Sequence, residues 1–177
     1  MSQLTRQHAL AEAILHSRDL FKRYLKGFND SNRTKQAPNL PNHVAWTLGH
    51  LAMTLHRCAQ KFDGDELPPG DFVTGDGTAG NCDSFDTESV CFGSRPVDDP
   101  RLYPTLERCV TIYDSAIERL ARVLRESEDG KLDSMSKWTN TEVPLYSFAS
   151  RMVFHNGTHC GQLADLRRAL NMGSIFA

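Results

Sequence analysis

The stretch of sequence that decides the fold runs from Pro144 to Gly173 and reads PLYSFASRMVFHNGTHCGQLADLRRALNMG. Its apolar residues recur every three or four positions, which predicts an amphipathic helix. The apolar face of this helix also contains His155, Asn156 and His159. Two imidazoles four residues apart lie one turn from each other on the same face and can bind one cation. Core histidines bonded to a backbone group or a carboxylate are the alternative interpretation, and a third metal ligand has to come from another helix.

Three further helices are predicted from the same periodicity, at residues 3–28, from about 39–42 to 62, and at about 101–126. An asparagine between positions 39 and 42 is expected to cap the second helix, with Pro41 in its first turn. Pro104 is expected to lie in the first turn of the third helix. Residues 130–140 are interpreted as a loop.

The predicted helices are joined by two shorter connections and a long one, and no β-type alternation extends beyond a few residues. An all-α four-helix bundle that forms one domain over residues 1–177 is therefore expected. The long connection between helices 2 and 3, residues 64–100, is rich in glycine, proline and aspartate. It can run along the bundle as a crossover or cover one end as a lid. Its acidic residues lack the spacing of a calcium loop and are interpreted as solvated turn residues.

The second helix carries three histidines, of which His50 projects between two apolar zones. His50 is the one expected to face the interior, His43 is the reserve, and His56 points elsewhere. Three neutral imidazoles with an open position are the pattern of catalytic rather than structural zinc sites. Such a ligand set also suits nickel, iron or copper, so the ligands alone do not decide the metal.

Five further side chains are candidates for the wall of the cavity or for contacts to the ligands: Trp46, Gln162, Asn156, Tyr113 and Arg18. Core packing is the alternative for the tryptophan and the tyrosine. The glutamine can instead cap or pack, and the arginine can extend from the flank of its helix into solvent.

Composition excludes several classes of function. The net charge is −2 and the sequence pI is about 6.4, which does not favour nucleic-acid phosphates or an anionic membrane. No apolar run approaches a membrane span, and the N-terminal residues lack a hydrophobic signal core. Five cysteines without a C-x-x-C motif suit a reducing compartment. A cytoplasmic location is expected.

Two features of the last helix refine this picture. Gly157 and Gly161 lie on the face opposite the histidines, where each is unfavourable by about 1 kcal/mol relative to alanine. A close backbone approach, from a neighbouring helix or a second subunit, is the predicted reason. Asn156 stands where an H-E-x-x-H metalloprotease has its glutamate base, which disfavours peptide hydrolysis.

Two segments resemble the DinB-like (YfiT-like) superfamily. Residues 42–51, NHVAWTLGHL, resemble its W-x-x-G-H-L segment, and residues 154–173 resemble its C-terminal signature H-x-x-x-H-x-G-Q…L-R-R-x-L-G. The resemblance covers nearly the whole chain in helix order. It implies an up-up-down-down four-helix bundle, a divalent metal on the histidines at positions 50, 155 and 159, and often a homodimer.

The resemblance also implies a range of activities. Members include S-transferases that use low-molecular-weight thiols such as bacillithiol or mycothiol, and a maleylpyruvate isomerase. The expected function is transfer of such a thiol to a small electrophile, with one divalent ion as cofactor. Zinc or nickel is expected first, with iron, manganese or copper as alternatives. A non-catalytic metal- or ligand-binding bundle related to stress and a metal-dependent hydrolase are the competing interpretations.

Overall fold

The structure is a computed structural model that describes residues 4–138 and 140–176. In chain order its elements are α1 (Arg6–Arg23), α2 (Val44–Asp63), β1 (Phe72–Val73), β2 (Phe85–Asp86), α3 (Thr87–Val90), a 3-10 turn (Pro100–Leu102), α4 (Leu106–Glu126), α5 (Asp129–Asp133), β3 (Met135–Trp138), β4 (Thr141–Pro144) and α6 (Leu145–Ala169). The chain is mostly helical, as predicted, but it is not all-α. Strands β1 and β2 pair in parallel, and β3 and β4 form an antiparallel hairpin.

Helix α2 lies at the centre of the described fold. It packs against α3, α4 and α6, while α1 packs against α4 and α6. Every residue from 43 to 56 is buried, so this helix has no solvent-facing side over most of its length. The apolar residues on both sides of His50 reflect this burial, since each side meets a different neighbour. None of the helices in the described part of the chain is both long and apolar enough to cross a bilayer.

The N-terminus of α2 corrects a prediction. The helix begins at Val44, and its cap is the imidazole of His43 rather than an asparagine side chain. Nδ1 of His43 accepts a hydrogen bond from the backbone N–H of Trp46 at 3.1 Å. Pro41 therefore precedes the helix instead of lying in its first turn, because His43 already fills the capping position.

The boundaries of α1 and α4 also differ from the predicted ones. Helix α1 ends at Arg23 rather than at residue 28, because the backbone N–H groups of residues 24–26 bond to the carbonyl three residues back instead of four. Gly27 then adopts a left-handed φ of 88° at the end of these turns. The predicted start at residue 3 lies outside the described residues. Helix α4 begins after its cap Thr105, and Pro104 stays outside because its carbonyl accepts a hydrogen bond from the buried guanidinium of Arg33 at 2.8 Å.

The long connection over residues 64–100 is a structured part of the core rather than a lid over one end. It contains β1, β2 and α3, and its aspartates are not all solvated as predicted. Asp86 is fully buried, and its carboxylate accepts hydrogen bonds from the backbone N–H groups of Gly77, Ala79 and Glu88 at 2.7 to 2.9 Å. One buried acid thus organises the turn that brings α3 onto α2.

Two other predictions about connections are corrected. The predicted loop over residues 130–140 contains most of α5 and all of strand β3. Gly157 and Gly161 are exposed, and a Cβ atom at either would meet no atom within 4 Å in the described chain. The interpretation that a neighbouring helix approaches these glycines is therefore wrong, and the approach of a second subunit stays a prediction.

Candidate metal centre

Three imidazoles meet between α2 and α6. Nε2 of His155 lies 3.3 Å from Nε2 of His50 and 3.1 Å from Nε2 of His159. One ligand nitrogen from each of the three rings lies within 4.8 Å of the others, and this is the group of potential metal ligands found among the described residues. Helix α6 supplies two of them because positions four apart share a face, and α2 supplies the third across the core.

The geometry of this cluster fits a divalent metal. A zinc ion with imidazole bonds of 2.0–2.1 Å separates the nitrogens of a tetrahedral site by about 3.3 Å. The two Nε2–Nε2 separations, 3.3 Å and 3.1 Å, are close to this value. Nδ1 of His50 donates to the carbonyl of Val90 at 2.9 Å, so in the neutral ring Nε2 carries the lone pair that faces the other two imidazoles. A carbonyl bonded in this way commonly fixes the tautomer of a metal-binding histidine.

Burial keeps these rings neutral. It lowers the pKa of His155 to about 4, with a further contribution from the neighbouring His50. It lowers the pKa of His159 to about 3, assisted by the other two imidazoles, and it also lowers the pKa of His50. Neutral imidazole is the form that binds a metal, so protons compete weakly for these sites near neutral pH.

Trp46 forms a wall of the cluster. Its ring stacks on that of His50 with centroids 4.6 Å apart and planes 10° from parallel, and it lies 6.2 Å from the ring of His159. The indole N–H donates to the hydroxyl of Ser94 at 2.9 Å. Both Ser94 and Val90 belong to the long connection, which therefore holds the tryptophan and His50 in place.

Gly49 allows this arrangement. A Cβ atom at this position would lie 2.7 Å from two ring carbons of Phe85 and 2.8 Å from Cγ1 of Val90. Only glycine lets the connection approach α2 so closely, one residue before His50, and this approach brings the Val90 carbonyl to the imidazole. The sequence signal for this contact was a glycine in the interior of a predicted helix. Glycine is less favourable than alanine at such a position by about 1 kcal/mol, so its presence indicates a close approach.

Three predicted site residues lie away from the cluster. Asn156 points toward α1, where its amide donates to the hydroxyl of Ser17 at 2.7 Å. Tyr113 is fully buried against Phe21, with ring centroids 5.0 Å apart. Arg18 pairs with Glu118 of α4. Helical periodicity correctly predicted that these three residues lie on an inward or flanking face of their helices. On that face, however, each of them contacts another helix rather than the histidine cluster.

Gln162 lies near the edge of the site. Its carbonyl oxygen accepts a hydrogen bond from the side chain of Asn42 at 2.9 Å, which joins α6 to the start of α2. Its amide opposes the fall in the pKa of His159 that burial causes. No hydrogen bond of normal geometry reaches Nδ1 of His159 from the described residues.

The other histidines of α2 are engaged elsewhere. Nε2 of His43 donates to the carbonyl of Val97 at 3.1 Å, so with its capping bond both ring nitrogens have partners. Nδ1 of His56 accepts from Arg119 of α4 at 3.2 Å. The reserve ligand is therefore a structural residue, and His56 does point away from the site as predicted.

A cavity of about 580 Å³ adjoins the cluster. His50 and His155 form part of its wall, so the cluster is accessible from one side. The other lining residues are Met53, Thr54, Arg57, Gln60, Lys61, Phe92 and Lys137. None of these seven was predicted from the sequence, although a four-residue step along α2 from His50 reaches Thr54 and a seven-residue step reaches Arg57.

Comparisons with known proteins bear on this site. A family model described as the DinB superfamily matches residues 13–163 and confirms the predicted resemblance. The fold is similar to the crystal structure of a conserved protein from Enterococcus faecalis, with a TM-score of 0.69 and 14% identity over 91% of this chain and 94% of that one. An uncharacterized protein from Clostridium difficile 630 gives a TM-score of 0.62 and 11% identity over 92% and 95%.

A third similar structure is that of a mycothiol-dependent maleylpyruvate isomerase. It gives a TM-score of 0.57 and 10% identity, and the match covers 92% of this chain and 65% of the isomerase. At such identities the structural likeness shows a shared fold. Among curated proteins, no sequence matches the chain significantly.

Proposed function

The chain belongs to the DinB superfamily, and we propose that it is a metal-dependent enzyme that transfers a low-molecular-weight thiol to a small electrophile. In this proposal His50, His155 and His159 hold one divalent ion, zinc or nickel first, with iron, manganese or copper as alternatives. The single observation that carries the proposal is that the three-histidine cluster opens onto a cavity of a size typical for small-molecule sites.

The open side of the cluster favours catalysis over a purely structural site. Structural zinc sites are closed by four protein ligands, whereas catalytic ones keep a position for water or substrate. Three histidines form the cluster among the described residues, and two of them line the cavity. When bound, a divalent ion there would favour the thiolate form of a thiol near neutral pH and so raise its nucleophilicity.

The residues of the chain prepare this chemistry. The Val90 carbonyl fixes the tautomer of His50, and Trp46 covers that ring on one face. Met53 and Phe92 provide an apolar part of the cavity wall, against which the body of an electrophile can pack. These contacts hold the ligands, orient them and exclude water from one side of the reacting atoms.

The two alternatives receive less support. A hydrolase of the metalloprotease type uses a carboxylate base beside the metal, and neither the cluster nor the described cavity wall includes one. A metal that serves only to stabilise the fold has no need for an open position beside its ligands. A thiol as substrate is also supported by the third similar structure, an isomerase that is named as mycothiol-dependent and shares this fold.

Further parts of the proposal concern architecture and setting. We propose that α1, α2, α4 and α6 form the up-up-down-down four-helix bundle implied by the family. The homodimer and the cytoplasmic location expected from the sequence remain predictions, as does the lack of nucleic-acid and membrane partners.

The test is thiol conjugation by protein purified without an affinity tag. Its substrates are a panel of small thiols and the electrophile 1-chloro-2,4-dinitrobenzene, before and after chelation. We expect His155→Ala to remove both metal and turnover, while His16→Ala, at an exposed position of α1, retains both. Turnover that persists after complete chelation and in His155→Ala would refute the proposal.

A further inference from the structure

Three cations converge on the cavity beside the candidate metal centre. Arg57 and Lys61 extend from α2 and Lys137 from β3, and the described wall contains no acidic side chain. We infer that the cavity selects a substrate with a carboxylate, which these three side chains hold while the reacting atom lies beside the histidines. This inference rests on the proposed function and adds the charge of the substrate to it.

Arg57 lacks a partner among the described residues, unlike most of the other arginines, and Lys137 lacks one as well. Neither side chain forms an ion pair or hydrogen bond with any other described residue, although the chain as a whole is slightly acidic. By contrast, Arg108 pairs with Asp71 at 2.6 Å and Arg119 with Asp63 at 2.7 Å. Uncompensated cations that face one cavity repel each other, and an anion between them removes this repulsion.

Lys61 fixes the geometry of the cationic wall. Its ammonium donates to the hydroxyl of Ser136 at 3.1 Å and to the carbonyl of Lys137 at 3.2 Å. These neutral acceptors attach the β3–β4 hairpin to α2, and the ammonium lies 5.2 Å from the centre of the Phe148 ring, but no carboxylate of the described residues pairs with Lys61. Because the hairpin is anchored here, Lys137 is held at the wall of the same cavity as Arg57 and Lys61.

The spacing along α2 sets the length of the ligand. Arg57 and Lys61 are one turn apart on the same face, and Arg57 follows His50 by seven residues. At 1.5 Å per residue, the backbone of Arg57 lies about 10 Å along the axis from that of His50. The carboxylate therefore belongs several bonds away from the reacting atom, and Met53 and Phe92 line the cavity along with these charges.

The carboxylate can belong to the thiol or to the electrophile, and matched pairs separate these sources. The thiol arm compares 6-mercaptohexanoate with 6-mercapto-1-hexanol by calorimetric binding to the metal-loaded protein. The electrophile arm compares the conjugation of 4-chloro-3-nitrobenzoate and its amide with the neutral thiol. A third arm measures hexanoate and hexanamide binding to the metal-free protein, which depends on the cationic wall alone.

We expect the carboxylate to be preferred over its neutral partner by about tenfold in the third arm and in one of the other two, since charge-assisted hydrogen bonds are about twice as strong as neutral ones. Arg57→Gln and Lys137→Gln should each remove most of this preference and leave binding of 6-mercapto-1-hexanol unchanged. Lys131→Gln is the matched control, because it removes one exposed positive charge near a different depression.

The outcomes distinguish this inference from the proposed function. Equal binding of charged and neutral partners in all arms would overturn the inference, even if metal-dependent conjugation proceeds. A hexanoate preference that Arg57→Gln abolishes, together with no binding or turnover of any thiol, would support the anion site and refute thiol transfer. A preference that survives in both variants would also overturn the assignment of the carboxylate to these cations.

Discussion

His43 and His50 lie two turns apart on one helix, and both are bonded to a backbone carbonyl of the long connection. Their other ring nitrogens differ. Nδ1 of His43 accepts the Trp46 backbone N–H and completes the hydrogen bonding of the ring, whereas Nε2 of His50 faces two further imidazoles. Backbone groups therefore satisfy both ring nitrogens of His43, whereas Nε2 of His50 faces the Nε2 atoms of two further imidazoles, and one cation can bind all three. Burial alone thus does not separate a structural histidine from a ligand, whereas the partners of both ring nitrogens do.

The largest expected effect is the loss of metal when His50 is removed. His50→Ala deletes one of three imidazole ligands, and we expect its metal affinity to fall by about 1,000-fold, given apparent metal-binding energies of about 10–16 kcal/mol in small zinc sites. His43→Ala should retain metal and lose about 1–2 kcal/mol of stability through its missing cap. Competition with a chelator measures the first and urea unfolding the second. Equal metal affinity in the two variants would eliminate the distinction between these histidines.

Gly49→Ala tests how the connection positions His50. The added methyl group overlaps Phe85 and Val90, so we expect a loss of about 1–3 kcal/mol in the free energy of unfolding. Displacement of the Val90 carbonyl should also lower metal affinity by about 10–100-fold, the usual effect of disturbing a carbonyl behind a ligand. Calorimetric titration with zinc provides the affinity. A variant that binds metal as tightly as the wild type would show that this carbonyl has no part in the site.

Acidification tests the structural histidine. Burial lowers the pKa of His43 to about 4, below the usual value of about 6.5, so the folded protein favours the neutral ring and the unfolded chain takes up the proton first. The contribution of His43 to stability is complete above about pH 6.5 and is lost as the pH falls toward 4, by about 3 kcal/mol.

This contribution is isolated by comparing unfolding of the metal-free wild type with His43→Asn, which keeps a capping side chain but does not titrate. The difference in stability between the two proteins should shrink by this amount between pH 7 and pH 4. His16→Asn, at an exposed site, should follow the wild type throughout. A constant difference across this range would mean that His43 is not a neutral cap.

The smallest expected effect concerns the exposed face of α6. Because a Cβ atom at position 157 meets nothing in the described chain, Gly157→Ala should stabilise the monomer by up to about 1 kcal/mol. If a second subunit approaches this face, the same change should instead weaken the dimer. Sedimentation equilibrium combined with thermal unfolding separates these cases. If Gly157→Ala destabilises the protein without changing its association, both the monomer and the dimer expectation are wrong.

Much of the helical framework could be predicted from residue order. The three- and four-residue spacing of apolar side chains identified the four long helices, and the spacing of His155 and His159 placed them on one face. These are local properties of a helix. Helix ends were less predictable, because the cap at His43 and the exclusion of Pro104 depend on partners distant in the chain.

The surroundings of the cluster were not predictable for the same reason. The contact of Val90 with His50 depends on the buried Asp86, which looks like any other acid in a polar connection. Periodicity assigned Asn156 to the apolar face of α6, but it could not show that α1 is the helix packed against that position. Lys137 reaches the cavity only because a short hairpin, hidden within a predicted loop, docks on Lys61.

The most direct test of the central claim is the metal content of the tag-free protein after dialysis against zinc or nickel. Elemental analysis should find about one divalent ion per chain in the wild type and in His43→Ala, and almost none in His50→Ala or His155→Ala. A wild-type protein without bound metal, or a His50→Ala protein that binds it as fully as the wild type, would contradict the claim that these three imidazoles form a metal centre.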